Sequence, residues 1–197
     1  MATPQLSHHH QATTFPQAAE YEKYRQWILG FIQREYNVDC SEVKLALAAN
    51  FGLGGGGLYM KSTEGVGNLT IAASKTGKTK EELKGKYCVV DADSLWSMKK
   101  NKLRTCWVVW HEFGHAAGEP NRAAFGLSEP RAYVFELKAV IAAVNDGTLA
   151  GWGLDKALIR EFLTSREKDY IAKGDAELKI KTDEILPLVQ QLKVLVA

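Results

Sequence analysis

The chain has 197 residues, 46% hydrophobic and 24% charged, and 25 Lys and Arg against 23 Asp and Glu leave a net charge of +2. That size suits one domain or two small ones and buries enough surface to need no disulfide scaffold. So slight a charge excess excludes a dedicated nucleic-acid binder, whose affinity rests on a concentrated basic face, and no apolar run reaches the roughly 18 residues of a membrane span. Cys40, Cys88 and Cys106 are an odd number without CxxC spacing, which points to reduced thiols and a cytoplasmic place of synthesis. The N-terminus lacks the basic and apolar regions of a secretory signal, so export would need a route without a cleavable one.

Residues 1–15 read as a flexible leader, with His8 to His10 in it, and residues 16–197 as a single domain. A helical pattern begins at Pro16, where Tyr21, Tyr24, Trp27, Ile28, Phe31 and Ile32 recur at three- and four-residue spacing, and ends near Asn37. Residues 43–49 then alternate as a strand. A glycine run follows, and two short strands are expected over 58–61 and 68–73, with the β-branched run 87–91 the clearest strand. Beyond residue 93 the pattern turns helical. Residues 103–117 form a helix stopped by Gly118 and Pro120, and Ser128 is placed to cap a helix over 129–144 with Pro130 in its first turn. Two more helices are expected over 154–173 and 176–196, the last bent at Pro187. The fold class is α+β: a small N-terminal sheet with helices, then a helical C-terminal half.

Two of the five histidines fall in one HExxH, His111-Glu112-Phe113-Gly114-His115. On a helix, positions i and i+4 share a face, so His111 and His115 can point at one metal ion. Zinc held by three protein groups keeps a fourth position for water, whose pKa falls to about 7. Glu112 sits one residue along and reaches that water as a general base without being a ligand. The apolar CWVVW before the motif buries the helix there. A helix whose two histidines are merely hydrogen-bonded is the structural alternative.

The third ligand must come from elsewhere, and no histidine follows His115. His111 to Gly118 resembles the start of the metzincin pattern, but its next ligand would fall on Asn121, a poor zinc ligand, and no methionine follows Met98 to make a Met-turn. The following helix offers Glu129, Tyr133 and Glu136 on one face. HEFGH followed by Glu129-Pro-Arg-Ala-Tyr-Val-Phe resembles the zincin metallopeptidases of gluzincin type, and the segment is similar to compact metallopeptidase domains of bacterial toxins and effectors. The resemblance covers residues 103–144. It implies a zinc-dependent peptidase of zincin-like fold with His111, His115 and Glu129 as metal ligands and Glu112 as the catalytic base. Glu136, then Glu119, stand as alternatives for the third ligand. It also implies a peptide or protein substrate, a cognate inhibitor or immunity protein as a partner, and an edge strand upstream of the zinc helix for substrate, for which 87–91 is the first candidate and 68–73 the second. Tyr133 could donate to an oxyanion or simply pack.

Two other motifs lead nowhere. Gly52 to Gly57 matches GxGxxG after a strand, but Leu-Tyr-Met-Lys follows as a strand, and the fingerprint needs a helix N-terminus. Gly77-Lys78-Thr79 lacks the first glycine of a P-loop, since Ala72 stands there. Two readings of other classes stay beside the peptidase: an inactive zincin or metal-stabilised binding module, and a zinc amidase acting on cell-wall peptide.

Overall fold

Three strands form the middle layer of the structure, a computed structural model that describes residues 18–48, 56–61, 66–92, 99–118, 128–172 and 180–197. The expected leader, His8 to His10, Glu119 and Asn121 lie outside these residues. The chain order is α1 (Ala18–Tyr36), β1 (Lys44–Ala48), β2 (Gly57–Lys61), α2 (Val66–Thr76), β3 (Lys86–Asp91), α3 (Lys99–Gly118), α4 (Glu129–Asn145), the single turn α5 (Thr148–Gly151), α6 (Lys156–Ala172), a π-helical turn (Lys181–Ile185) and α7 (Leu186–Leu195). The class is the α+β arrangement read from the pattern. No helix among the described residues is long and apolar enough to cross a membrane.

The sheet order is β1-β3-β2, with β1 parallel and β2 antiparallel to β3. Side chains alternate across a strand, so β3 supplies two cores at once. Cys88 and Val90 join the main core with α1, α3, α4, α6 and α7, while Tyr87 and Val89 join Ala46, Met60, Ala72 and Leu83 in a smaller core under α2. A strand buried on both faces reads as an unbroken apolar run, and YCVVD does.

Residues 68–73, expected as a strand, lie within α2. Leu69, Ala72, Ala73 and Thr76 fall at helical spacing and turn toward the small core, and Thr76 Oγ1 donates back to the Ala72 carbonyl at 2.7 Å. The β-branched Thr70 and Ile71 suggested a strand, but both are exposed. Ser128 occupies the N-cap of α4 (φ −78°, ψ 149°) without a side-chain capping bond; Pro130, at the second helical position, lacks one of the N–H groups that such a cap would accept from. Helix α6 starts instead on Asp155, whose carboxylate accepts from the Leu158 N–H at 2.9 Å. The expected bend at Pro187 takes the form of the π turn just before it, where the proline ring cannot fit an ordinary helical register.

Helix α3 is the spine of the main core. Trp110 is fully buried, stacks on Trp27 of α1 with ring centroids 4.4 Å apart, and donates its indole N–H to the Tyr24 carbonyl at 3.1 Å. One turn further along, on the same side of the helix, Gly114 lets α4 come close: a Cβ there would stand 2.8 Å from the Phe135 ring. The pair of helices that carries the site is thus set by a buried indole and, one turn on, a missing side chain.

Candidate metal centre

His111 and His115 lie one turn apart on α3, buried and nearly buried, with Nε2 atoms 3.2 Å apart. The first turn of α4 brings Glu129 to them, Oε2 at 3.2 Å from His111 Nε2 and Oε1 at 3.7 Å from His115 Nε2. Tetrahedral ligands held at about 2.0–2.1 Å from zinc stand about 3.3 Å from one another, so these separations fit one zinc ion. The three residues form a cluster whose ligand atoms all lie within 4.8 Å of each other. Two imidazole nitrogens and a carboxylate oxygen are the donor set of a catalytic zinc site with its fourth position open. Glu129 is 60% exposed at its side chain, so the open side faces solvent.

Glu136 does not join the ligands. Its carboxylate is completely buried and takes the other ring nitrogen, His111 Nδ1, at 2.6 Å. From α6, Tyr170 donates its hydroxyl to Glu136 at 2.5 Å and Arg166 a guanidinium N–H at 3.2 Å. A carboxylate on Nδ1 fixes the tautomer and orients Nε2 toward the metal position. Burial alone would raise Glu136, but the charges of Arg166 and His111 outweigh it and hold the carboxyl below its ordinary value. Burial likewise pulls His111 down, yet Glu136 above all, with Glu129 and Glu112, lifts the imidazole to about 10. Hydrogen bonds from His111 and His115 hold Glu129 low. Tyr133 packs in this layer, its ring 5.3 Å from His111 and 5.2 Å from Tyr170 by centroid, with the Arg166 guanidinium over it at 5.7 Å.

Glu112 is not one of the clustered ligands and lies against β2, its Oε1 beside Gly57. It is buried, which raises its carboxyl against the pull of His111 and His115, and it accepts a hydrogen bond from the Tyr59 main chain. The expected substrate strand 87–91 is overturned: β3 is central, paired on both sides, and has no free edge. The second candidate is helical. The edge beside α3 is β2, where the Asp91 N–H donates to the Gly56 carbonyl at 2.9 Å. Antiparallel pairing alternates, so the main chains of Gly57, Tyr59 and Lys61 turn outward.

The HExxH pair and Glu129 come together as read from sequence; Arg166, Tyr170 and the main chain of β2 were missed. Arg166 and Tyr170 show the four-residue spacing of one helix face, but nothing in that spacing names Glu136 as their target. The glycine run ahead of β2 was the one local hint of a close backbone approach.

The fold and the His–His–Glu cluster thus define a candidate zinc site of HExxH, gluzincin-type geometry, the arrangement of a metalloprotease-type hydrolase site. No family model matches the chain, and neither a curated protein nor a solved structure matches it at a significant level.

Proposed function

We propose that the chain is a zinc-dependent metallopeptidase and that residues 16–197 act as one zincin-like domain; a main core shared from Tyr21 to Val196 supports the second point. His111, His115 and Glu129 would hold the metal. When bound, zinc polarises a peptide carbonyl and acidifies a water at the site. Glu112 is the general base: its carboxylate takes a proton from the attacking water and passes it to the leaving amine. Glu136 keeps the Nδ1 proton of His111 in place, so that Nε2 is the nitrogen left for the metal. Outward main-chain groups of β2 other than the Tyr59 N–H, which Glu112 takes, pair with an extended peptide, which makes the substrate a protein or peptide strand.

The observation that carries this reading is the convergence of three N, N and O ligand atoms beside a buried carboxylate that is not one of them. A closed structural zinc has four protein ligands, whereas among the described residues three converge. A toxin or effector setting with a cognate inhibitor draws its support from the resemblance over residues 103–144. Zinc content and hydrolysis of an unstructured protein test the proposal together. Glu112→Ala keeps stoichiometric zinc and loses about 10²- to 10⁴-fold in turnover, while His111→Ala loses both. Folded wild-type protein that takes up no zinc, or hydrolysis that survives Glu112→Ala, would sink it.

A further inference from the structure

The glycine run that imitates a dinucleotide loop ends at Gly57, the first residue of β2. Gly56 needs to be glycine for its backbone, with φ at 87°, but Gly57 is not among the positive-φ residues. What excludes a side chain at Gly57 is space. A Cβ built there would stand 2.7 Å from Glu112 Oε1, 2.8 Å from Glu112 Cγ and 2.8 Å from Val108 Cγ1, well inside the roughly 3.5–4.0 Å of a relaxed carbon contact. Two residues on, the outward N–H of Tyr59 donates to the same carboxylate. The bare strand backbone therefore forms the wall against which Glu112 lies and supplies the donor that turns it.

We propose that Gly57 and the Tyr59 main chain form a side-chain-free seat that sets the position of Glu112, which makes Gly57 a positioning residue for hydrolysis. A glutamate has several free torsions and loses rotamer entropy when it must be held in one arrangement. The seat removes that freedom before substrate arrives: Glu112 Oε1 and Cγ occupy the space a Gly57 side chain would fill, and the Tyr59 N–H holds the carboxylate there. Glu112 takes the Tyr59 donor of this outward edge, so the base lies on the same strand whose other outward groups the metallopeptidase reading assigns to an extended peptide. Displacement of a reacting group by about 1 Å costs on the order of 10²-fold in rate. The consequence for catalysis rests on the metallopeptidase reading; the contact itself does not.

The experiment compares the full-length, zinc-saturated wild type with Gly57→Ala, Glu112→Ala, Val108→Ala and the two double variants that combine Gly57→Ala with each of the others. Expected for Gly57→Ala are wild-type zinc stoichiometry and affinity, a kcat lower by about 100-fold and a KM within about threefold of wild type. Overpacking lowers its Tm by roughly 5 °C, and at least half of that loss disappears in the Glu112→Ala background, because the carboxylate is what the new methyl meets. Should Gly57→Ala fail to fold, recovery of folded protein in the Gly57→Ala/Glu112→Ala variant makes the same case. The proposal is overturned if the Tm penalty is as large without the Glu112 carboxylate as with it, if Val108→Ala alone removes it, or if Gly57→Ala turns over like wild type. A wild type that binds zinc but cleaves nothing removes the peptidase reading, and the Tm coupling then still decides whether the seat exists.

Discussion

Helix α4 carries two glutamates, seven residues apart, that both reach His111, and they meet opposite ends of its ring. Glu129 stands in the first turn, 60% exposed, with its carboxylate at the Nε2 atoms of His111 and His115. Glu136 lies two turns further in, completely buried, and takes Nδ1. Residue type and helical spacing are the same for both. What separates them is the neighbour: α6 places Arg166 and Tyr170 against Glu136, while Glu129 faces solvent. A carboxylate that already satisfies a guanidinium, a phenol and an imidazole is committed, whereas one that among the described residues meets two histidine nitrogens at a solvent-facing position can take a metal.

The sharpest way to break this comparison is to remove each glutamate in turn and measure zinc affinity by competition with a chelator. Loss of an orienting partner of a ligand histidine costs about 10- to 100-fold in metal affinity. Glu136→Gln is expected in that range, because the amide still fills the cavity while the charge that orients His111 is gone. Glu129→Ala is expected to exceed the top of that range, because a ligand itself is lost. Equal losses, or a larger loss for Glu136→Gln, would reverse the two roles.

The sequence alone reaches one side of this comparison and stops at the other. HExxH is legible because its chemistry is local: two ligands and a base within one helical turn, fixed by 3.6-residue geometry. Glu129 is legible as a candidate because the next helix follows closely, yet Glu136 fits the same face, and helical spacing cannot say which ring nitrogen each will meet. That choice is made by α6, about 30 residues later in the chain, whose contacts are purely tertiary. The sheet shows the same limit. The run 87–91 is legible as a strand, but its central place follows from β1 and β2 pairing on either side, and the edge beside α3 passes to a short strand that begins with a glycine. The misread α2 marks a nearer failure, since β-branched Thr70 and Ile71 outweighed a helical spacing that was present in the sequence.

A second test sharpens the electrostatic half of the comparison. Without metal, His111 is raised from the ordinary 6.5 to about 10, so at neutral pH its ring carries both protons, one toward Glu136 and one toward Glu129. Zinc requires the Nε2 proton to leave. Affinity therefore tightens as pH rises, by about tenfold per unit for one proton released, up to about pH 10. Stability of the metal-free chain runs the other way. A raised folded-state pKa contributes stability fully present below 6.5 and lost as pH climbs through about 10. Zinc titrations and melting curves over this range should thus show opposite slopes, and parallel slopes would mean that His111 is not held as an imidazolium.

The smallest expected effect comes from trimming the buried side of the comparison by one oxygen. Tyr170→Phe keeps the ring that packs on Tyr133 and removes the hydroxyl that donates to Glu136 at 2.5 Å. A hydrogen bond to a charged group contributes about 1.5–3 kcal/mol, and chemical denaturation should register a loss of that size. Arg166 still holds Glu136, and Glu136 still holds His111, so zinc affinity should fall by less than the roughly tenfold lower bound for losing the orienting carboxylate itself. The hydroxyl is therefore expected to matter more to the fold than to the metal. A Tyr170→Phe protein of wild-type stability but with zinc affinity as weak as that of Glu136→Gln would show the reverse, that Tyr170 acts on the site through the ionisation of Glu136 and not through packing.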